Sequence, residues 1–315
     1  MTLVEVSGLK KSFQGTEVIK GLDFSLDRGK CIALLGPNGA GKTTILRMLS
    51  GLMKPTSGSI SFSTNGKGED IRHLIGYLPQ FPVYYDWMTA KEFLQYVGRL
   101  AGLSSREAKG RTIELLKRVG IEEAKNRRIA KFSGGMKQRL GIAQALIHRP
   151  LLLMLDEPVS ALDPFGRREV LELLEELKKE TTILFSTHIL NDAEEVCDKI
   201  LFLHKGRIVE TGTMEELKDR YMEARIDFSF KQNADKYVTL FAASPLVNSL
   251  ETQGETVRVE VANLEKARSY FLNRIAEENW SLTKFEISSM TLEDIFMKVV
   301  GMDEPVDNTS AKRIG

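Results

Sequence analysis

The string Gly36-Pro37-Asn38-Gly39-Ala40-Gly41-Lys42-Thr43 constrains this chain more than any other feature. It matches the pattern G-x-x-x-x-G-K-[ST], and both flanks suit it. Upstream, Lys30-Cys31-Ile32-Ala33-Leu34-Leu35 reads as a buried strand; downstream, Thr44-Ile45-Leu46-Arg47-Met48-Leu49 reads as the opening of a helix. Glycines at 36, 39 and 41 admit backbone angles that a Cβ forbids, so successive N–H groups turn inward around phosphate oxygens. The following helix aims its positive end at the same anion. Lys42 then reaches the β- and γ-phosphates, and the Thr43 hydroxyl sits on Mg²⁺. The stretch from Gly36 to Thr44 is therefore expected to line a nucleotide.

Composition narrows the partners. The 315 residues carry 44 basic and 43 acidic side chains, a net charge of +1 that argues against nucleic acid as the main partner. The cysteines, Cys31 and Cys197, lie in apolar stretches without metal-ligand spacing and read as reduced core residues of a cytoplasmic protein. Met1-Thr2-Leu3-Val4-Glu5-Val6 alternates like a strand and shows no signal peptide. The apolar run Leu151–Leu155 is far too short to cross a bilayer, so the chain is expected to be soluble by itself.

Strand and helix patterns alternate through the first 218 residues, as in a layered α/β domain. Residues 89–149 interrupt them with an inserted helical subdomain, read as Lys91–Leu100, Arg106–Val119 and Met136–His148. From 219 to 302 the texture is that of a small α+β domain. Ile226, Phe228 and Phe230 alternate with polar residues, as do Val257, Val259 and Val261; Phe285 and Ile287 mark a third strand, and Leu264–Glu278 a helix. Thr291 and Asp294 cap a last helix whose stripe is Leu292, Ile295, Phe296 and Val299. The polar tail 303–315 reads as disordered.

Leu151-Leu152-Leu153-Met154-Leu155-Asp156-Glu157 is a buried strand ending in two carboxylates. With a phosphate loop upstream, Asp156 is placed to hold Mg²⁺ and Glu157 to polarise an attacking water. Phe132-Ser133-Gly134-Gly135-Met136-Lys137-Gln138-Arg139 adds a second helix start whose serine caps it and whose glycines leave N–H groups open. This string resembles the signature of ATP-binding cassette proteins. The paired carboxylates, Ser160-Ala161-Leu162-Asp163 and His188 follow it in that family's order.

The resemblance covers residues 1 to about 218. It implies an α/β P-loop ATPase cassette with an antiparallel β subdomain and the helical insertion, using ATP and Mg²⁺. Gln80 resembles the glutamine that contacts Mg²⁺ and the attacking water, Asp163 the residue that communicates across a dimer interface, and His188 the histidine on the γ-phosphate. Phe13 stands where the family sets an aromatic ring against adenine; a place in the core is the other reading. Met136 and Phe132 depart from the commoner glutamine and leucine. Ser-Gly-Gly-Met-Lys-Gln-Arg, with Thr291-Leu292-Glu293-Asp294-Ile295-Phe296, resembles members that serve a separate membrane subunit in export.

In that family two cassettes sandwich two ATP molecules, the phosphate loop of one facing Ser133, Gly134 and Gly135 of the other. One loop and one signature here imply a second chain, most simply an identical one. The resemblance thus implies the ATPase subunit of an exporter, peripheral on the inner face of the cell membrane through a separate transmembrane permease. The rival, a cassette ATPase of ribosomes or DNA, usually carries a second cassette, a coiled coil or a zinc insertion, none of which is seen. A nucleotide kinase or GTPase offers no account of Ser133–Gly135 with His188. The cluster Phe81-Pro82-Val83-Tyr84-Tyr85-Asp86-Trp87-Met88 reads as the contact with the permease, with Tyr84 and Tyr85 expected outward ahead of Trp87.

Overall fold

Alternating apolar strands and amphipathic helices form two units in the computed structural model, which describes residues 1–63, 70–160, 162–221, 224–231, 234–288 and 291–303. One unit is Met1–Met214 with the stretch from Val299; the other is Glu215–Lys298.

The first unit opens with β1 (Thr2–Phe13) and β2 (Thr16–Asp27), joined by Gln14 and Gly15 at φ 48° and 86°, the left-handed turn that suits the twist of a hairpin. β3 (Cys31–Leu35) and α1 (Lys42–Leu49) follow, then β4 (Ser57–Phe62) and β5 (Ile75–Leu78). The helical insertion comprises α2 (Ala90–Leu100), α3 (Ser105–Arg118) and α4 (Gly134–Leu146). Next come β6 (Leu152–Asp156), α5 (Pro164–Leu177), β7 (Thr182–Thr187) and α6 (Leu190–Val196). The hairpin β8 (Lys199–His204) and β9 (Arg207–Gly212) completes the series before α7 (Met214–Tyr221).

These strands make two sheets. β2-β1-β4 is antiparallel, and β5-β6-β7-β3-β8-β9 is parallel except at β9. Leu3, Val4, Leu9, Ile19 and Leu22 of the small sheet share one buried core with Ile45, Leu46 and Leu49 of α1 and with Ile32, Leu34 and Met154 of the large sheet. The parallel register sends β3, β5, β6 and β7 out at the same edge, where open α/β sheets bind ligands. Among the described residues no helix is long and apolar enough to cross a membrane. Cys31 and Cys197 are free thiols that share a hydrogen bond, their sulfurs 4.0 Å apart.

In the insertion, Thr89 and Ser104 each form a capping box with the glutamate three residues on, which fixes the starts of α2 and α3. The aromatic cluster before α2 is arranged otherwise than the sequence leads one to expect. Tyr84 turns inward: its hydroxyl donates to the carbonyl of Lys137 at 2.6 Å, its ring meets Phe93 edge-on at 5.4 Å, and burial pushes its phenol above the ordinary range. Trp87 is 68 % exposed, with Phe81 and Val83 still more open. The Tyr84 hydroxyl finds its acceptor in the Lys137 carbonyl of α4, which holds the ring inward.

The second unit contains β10 (Ala224–Phe230), α8 (Ala234–Ala242), β11 (Val247–Gln253), β12 (Thr256–Val261), α9 (Leu264–Glu278) and β13 (Leu282–Ser288), then the start of α10 (Leu292–Asp303). The β-α-β-β-α-β succession with order β11-β12-β10-β13 is a ferredoxin-like arrangement. Its core is aromatic: the Phe228 ring lies 4.6 Å from Phe241, 5.2 Å from Phe271 and 5.3 Å from Phe285. α8 and β11 are additions to the sequence reading. Asp294 caps α10 through Thr291 and also takes a bond from Arg225. Apart from Asp303, which ends α10, the expected disordered tail lies outside the described residues.

Tyr84→Phe removes the hydroxyl that donates to the Lys137 carbonyl and should lower stability by about 1 kcal/mol, the net contribution of one such hydrogen bond. Tyr85→Phe, at an exposed ring, should change it by less than ~0.5 kcal/mol. Urea denaturation of both variants checks the difference.

Candidate nucleotide site

Three loops leaving the carboxyl edge of the parallel sheet build the site. After β3 the chain passes over the end of β8. A Cβ at Gly36 would lie 2.3 Å from the Leu203 carbonyl oxygen, so that glycine is needed for close approach. Gly39 and Gly41 instead sit at φ 81° and 112°, in the left-handed region. The sequence argument from backbone freedom thus holds for 39 and 41, and Gly36 has a different reason. Gly41 is the N-cap of α1 and provides no side-chain cap, and the first turn carries no acidic residue. The positive end of α1 is left for an anion.

Lys42 is 7 % exposed. Its Nζ donates to the carbonyls of Gly36 at 2.7 Å and Pro37 at 3.3 Å, and it lies 3.4 Å from Oε1 of Glu157. The other carboxylate oxygen of Glu157 is 2.9 Å from Nδ1 of His188. Glu157 itself sits at φ 52°, a conformation that costs a non-glycine residue about 1–3 kcal/mol. Two bonds from its N–H hold it there, to the Ser186 carbonyl at 3.2 Å and the Ser186 hydroxyl at 3.1 Å.

Ser186 Oγ in turn donates to Oδ1 of Asp156 at 2.6 Å. Asp156 is fully buried, and its Oδ2 has no hydrogen-bond partner among the described residues. A bare buried carboxylate oxygen is costly, and a cation or bound water at this edge would satisfy it. Mg²⁺ characteristically takes one or two carboxylates and fills its remaining positions with water and phosphate oxygens, so this donor set fits it. Tyr77, beside Asp156 on β5, has its phenol pushed up to about 12 by burial and then by the Asp156 charge.

The remaining expected residues take stated places. Thr43 and Thr44 lie half-buried in the first turn of α1; Pro37 and Asn38 are exposed, and Ala40 is buried. Gln80 is exposed two residues beyond Leu78, level with Glu157 across the β5–β6 register. Phe13 ends β1 at 42 % exposure with the Lys11 ammonium 5.2 Å from its ring centre, so it is no core residue. Ser133 caps α4 by accepting from the Met136 N–H at 3.2 Å. Ser133, Gly135, Arg139, Asp163 and Phe165 line an open groove of about 610 Å³ to which the phosphate loop contributes no residue. Asp163 caps α5, accepting from the Gly166 N–H at 2.7 Å ahead of Pro164.

Sequence reading assembled Lys42, Asp156, Glu157 and His188 at one point but missed Ser186, which ties both carboxylate residues together. Its signal in the sequence is faint: it is one of three hydroxyl residues, with Thr182 and Thr187, that flank the apolar run Ile183–Phe185.

Comparison with known proteins agrees with this geometry. Residues 19–160 match the ABC transporter family model, and residues 212–300 match the C-terminal domain of DrrA1-3-like ATP-binding proteins. The uncharacterized ABC transporter ATP-binding protein YxlF of Bacillus subtilis is 44 % identical over 95 % of this chain and 99 % of its own length. This chain belongs to the ABC transporter ATP-binding proteins. The Nod factor export ATP-binding protein I of Rhizobium sp. is 35 % identical over 95 % of this chain and 97 % of its own. Among solved structures, the ATP-binding cassette MJ0796, a dimer in a post-hydrolysis state with ADP and Pi, is 26 % identical. It covers 67 % of this chain and 99 % of its own with a TM-score of 0.62. The cassette fold and an ATP-binding role follow, with export-type relatives.

Proposed function

We propose that this chain hydrolyses ATP to drive export through a separate membrane-spanning subunit, working as a dimer at the inner face of the cell membrane. The observation that carries the reading is the buried cluster of Lys42, Asp156 and Glu157 at the bare end of α1, with the exposed His188 bonded to Glu157 at its rim. The α1 N–H groups and Lys42 would hold the triphosphate, with the Phe13 ring against the base. Thr43, Gln80 and Asp156 would hold Mg²⁺, which when bound neutralises charge on the β- and γ-phosphates. Glu157 takes the proton of the attacking water, and His188, already bonded to Glu157, orients that carboxylate and meets the γ-phosphate. A second copy supplies Ser133, Gly134 and Gly135, because the groove they line holds none of this chain's own phosphate loop. A relative solved as a dimer with ADP and Pi, and relatives named for Nod factor export and bacitracin transport, support dimer closure and export.

The permease contact is assigned to the loop after Gln80. Phe81, Val83, Tyr85 and Trp87 are all exposed there, a density of apolar surface that marks a partner's seat. Gln80 links that seat to the γ-phosphate.

Two measurements test this. Glu157→Gln keeps the shape of the side chain and removes the base, so ATP turnover should fall on the order of 10²–10⁴-fold while ATP binding persists; normal turnover would end the assignment. Phe81→Glu with Trp87→Glu should abolish sedimentation with membranes that contain the permease while leaving ATP affinity unchanged. Tight binding of the wild-type chain to protein-free lipid vesicles would contradict a partner-mediated seat.

A further inference from the structure

An ion pair that the chemistry above leaves unused lies between the turns carrying Asp163 and His188. α5 begins one residue after Asp163, and α6 begins two residues after His188. Asp192, in the first turn of α6, is 1 % exposed. Its Oδ1 accepts from both Nε and Nη2 of Arg167, in the first turn of α5, while Oδ2 has no partner. Burial holds the Asp192 carboxyl above the ordinary aspartate range, the Arg167 guanidinium opposes it, and the charges of Glu195 and Glu157 add to the burial.

The connection to both turns is short. The Arg167 N–H bonds to the Asp163 carbonyl at 2.9 Å, so one residue holds the Asp163 turn through its backbone and α6 through its side chain. On the other side, the Ile189 N–H bonds to Thr187 Oγ1 at 3.0 Å and fixes the bend from which His188 projects toward Glu157. A carboxylate in a helix's first turn gains from the helix dipole whether or not it is buried. Burying it costs free energy unless a partner stays in place, so the pair resists separation of the two turns. Arg168, the next residue, pairs with Glu172 on its own helix and among the described residues makes no such link.

We propose that Arg167 and Asp192 are positioning residues for hydrolysis, coupling the Asp163 turn at the dimer seam to His188 at the γ-phosphate. The proposal rests on the function given above, because it needs His188 at the phosphate and Asp163 at the seam. Closure of a second chain on the Asp163 turn is then relayed through one ion pair to His188.

The test uses the full chain with Arg167→Met, Asp192→Asn, the double variant and Arg168→Met. Turnover is counted per nucleotide-binding site, which removes any loss of folded protein. Each single variant should lower kcat roughly tenfold, and the double variant no further, as for two groups acting as a unit. ATP affinity and the Arg168→Met kcat should match the wild type. Arg167→Lys keeps the charge without the fork and should recover part of the rate; it also carries the test if Asp192→Asn fails to fold. Wild-type kcat per site in Arg167→Met, or losses that multiply in the double variant, would overturn the coupling alone. A wild-type chain that binds no ATP, or Glu157→Gln that turns over normally, would overturn the site reading and the coupling with it.

Discussion

Lys42 and Glu157 face each other 3.4 Å apart at the carboxyl edge of the sheet, each less than a tenth exposed. Neither charge could stay buried alone without a large desolvation cost, so each is held by the other and by neighbours. Lys42 has the carbonyls of Gly36 and Pro37, and Glu157 has His188. The pair joins the loop after β3 to the loop after β6. A polyphosphate presents more negative charge to Lys42 than one carboxylate does, and the bare end of α1 adds to that preference. On the function proposed above, Lys42 would turn to phosphate while Glu157 keeps His188 as its partner.

The arrangement works because the fold divides tasks by element. Parallel strands fix the ends of β3, β6 and β7 within one register, so Gly36, Asp156 and His188 come to the same edge without long-range adjustment. The strain at Glu157 and the bare oxygen of Asp156 lie in that edge, held by Ser186. The helical insertion carries a separate helix start capped by Ser133, and a Cβ on Gly135 would press within 3.2 Å of Leu162, next to the Asp163 turn. The start of α4 and the Asp163 turn therefore lie against each other within one chain. The second unit has its own aromatic core around Phe228.

Local pattern carried the reading where one face is buried and one is wet. α9 was expected at Leu264–Glu278 and occupies those residues, because Ala267 and Phe271 face inward between charged neighbours. β11 escaped notice because it is an edge strand with most residues exposed, so little alternation is written into it. α8 did carry a signal in Ala234, Tyr237 and Phe241, at helical spacing, but it is short and aromatic residues suit strands equally. Tyr84 was misjudged for a different reason. Sequence gives the size of a ring, and only the fold gives the Lys137 carbonyl that its hydroxyl must satisfy. Likewise Asp156 and Glu157 were legible as a pair at a strand end, while Ser186 and Asp192 depend on strands and helices brought together from far apart in the chain.

The claim on which this account rests is that ATP is closed between two chains, the end of α1 from one and the end of α4 from the other. Light scattering on Glu157→Gln, with and without Gly135→Trp, measures this most directly. Glu157→Gln should have the mass of a dimer with Mg-ATP and that of a monomer with ADP, and the added Gly135→Trp should leave a monomer with either nucleotide. A mass independent of both nucleotide and Gly135 would contradict the account.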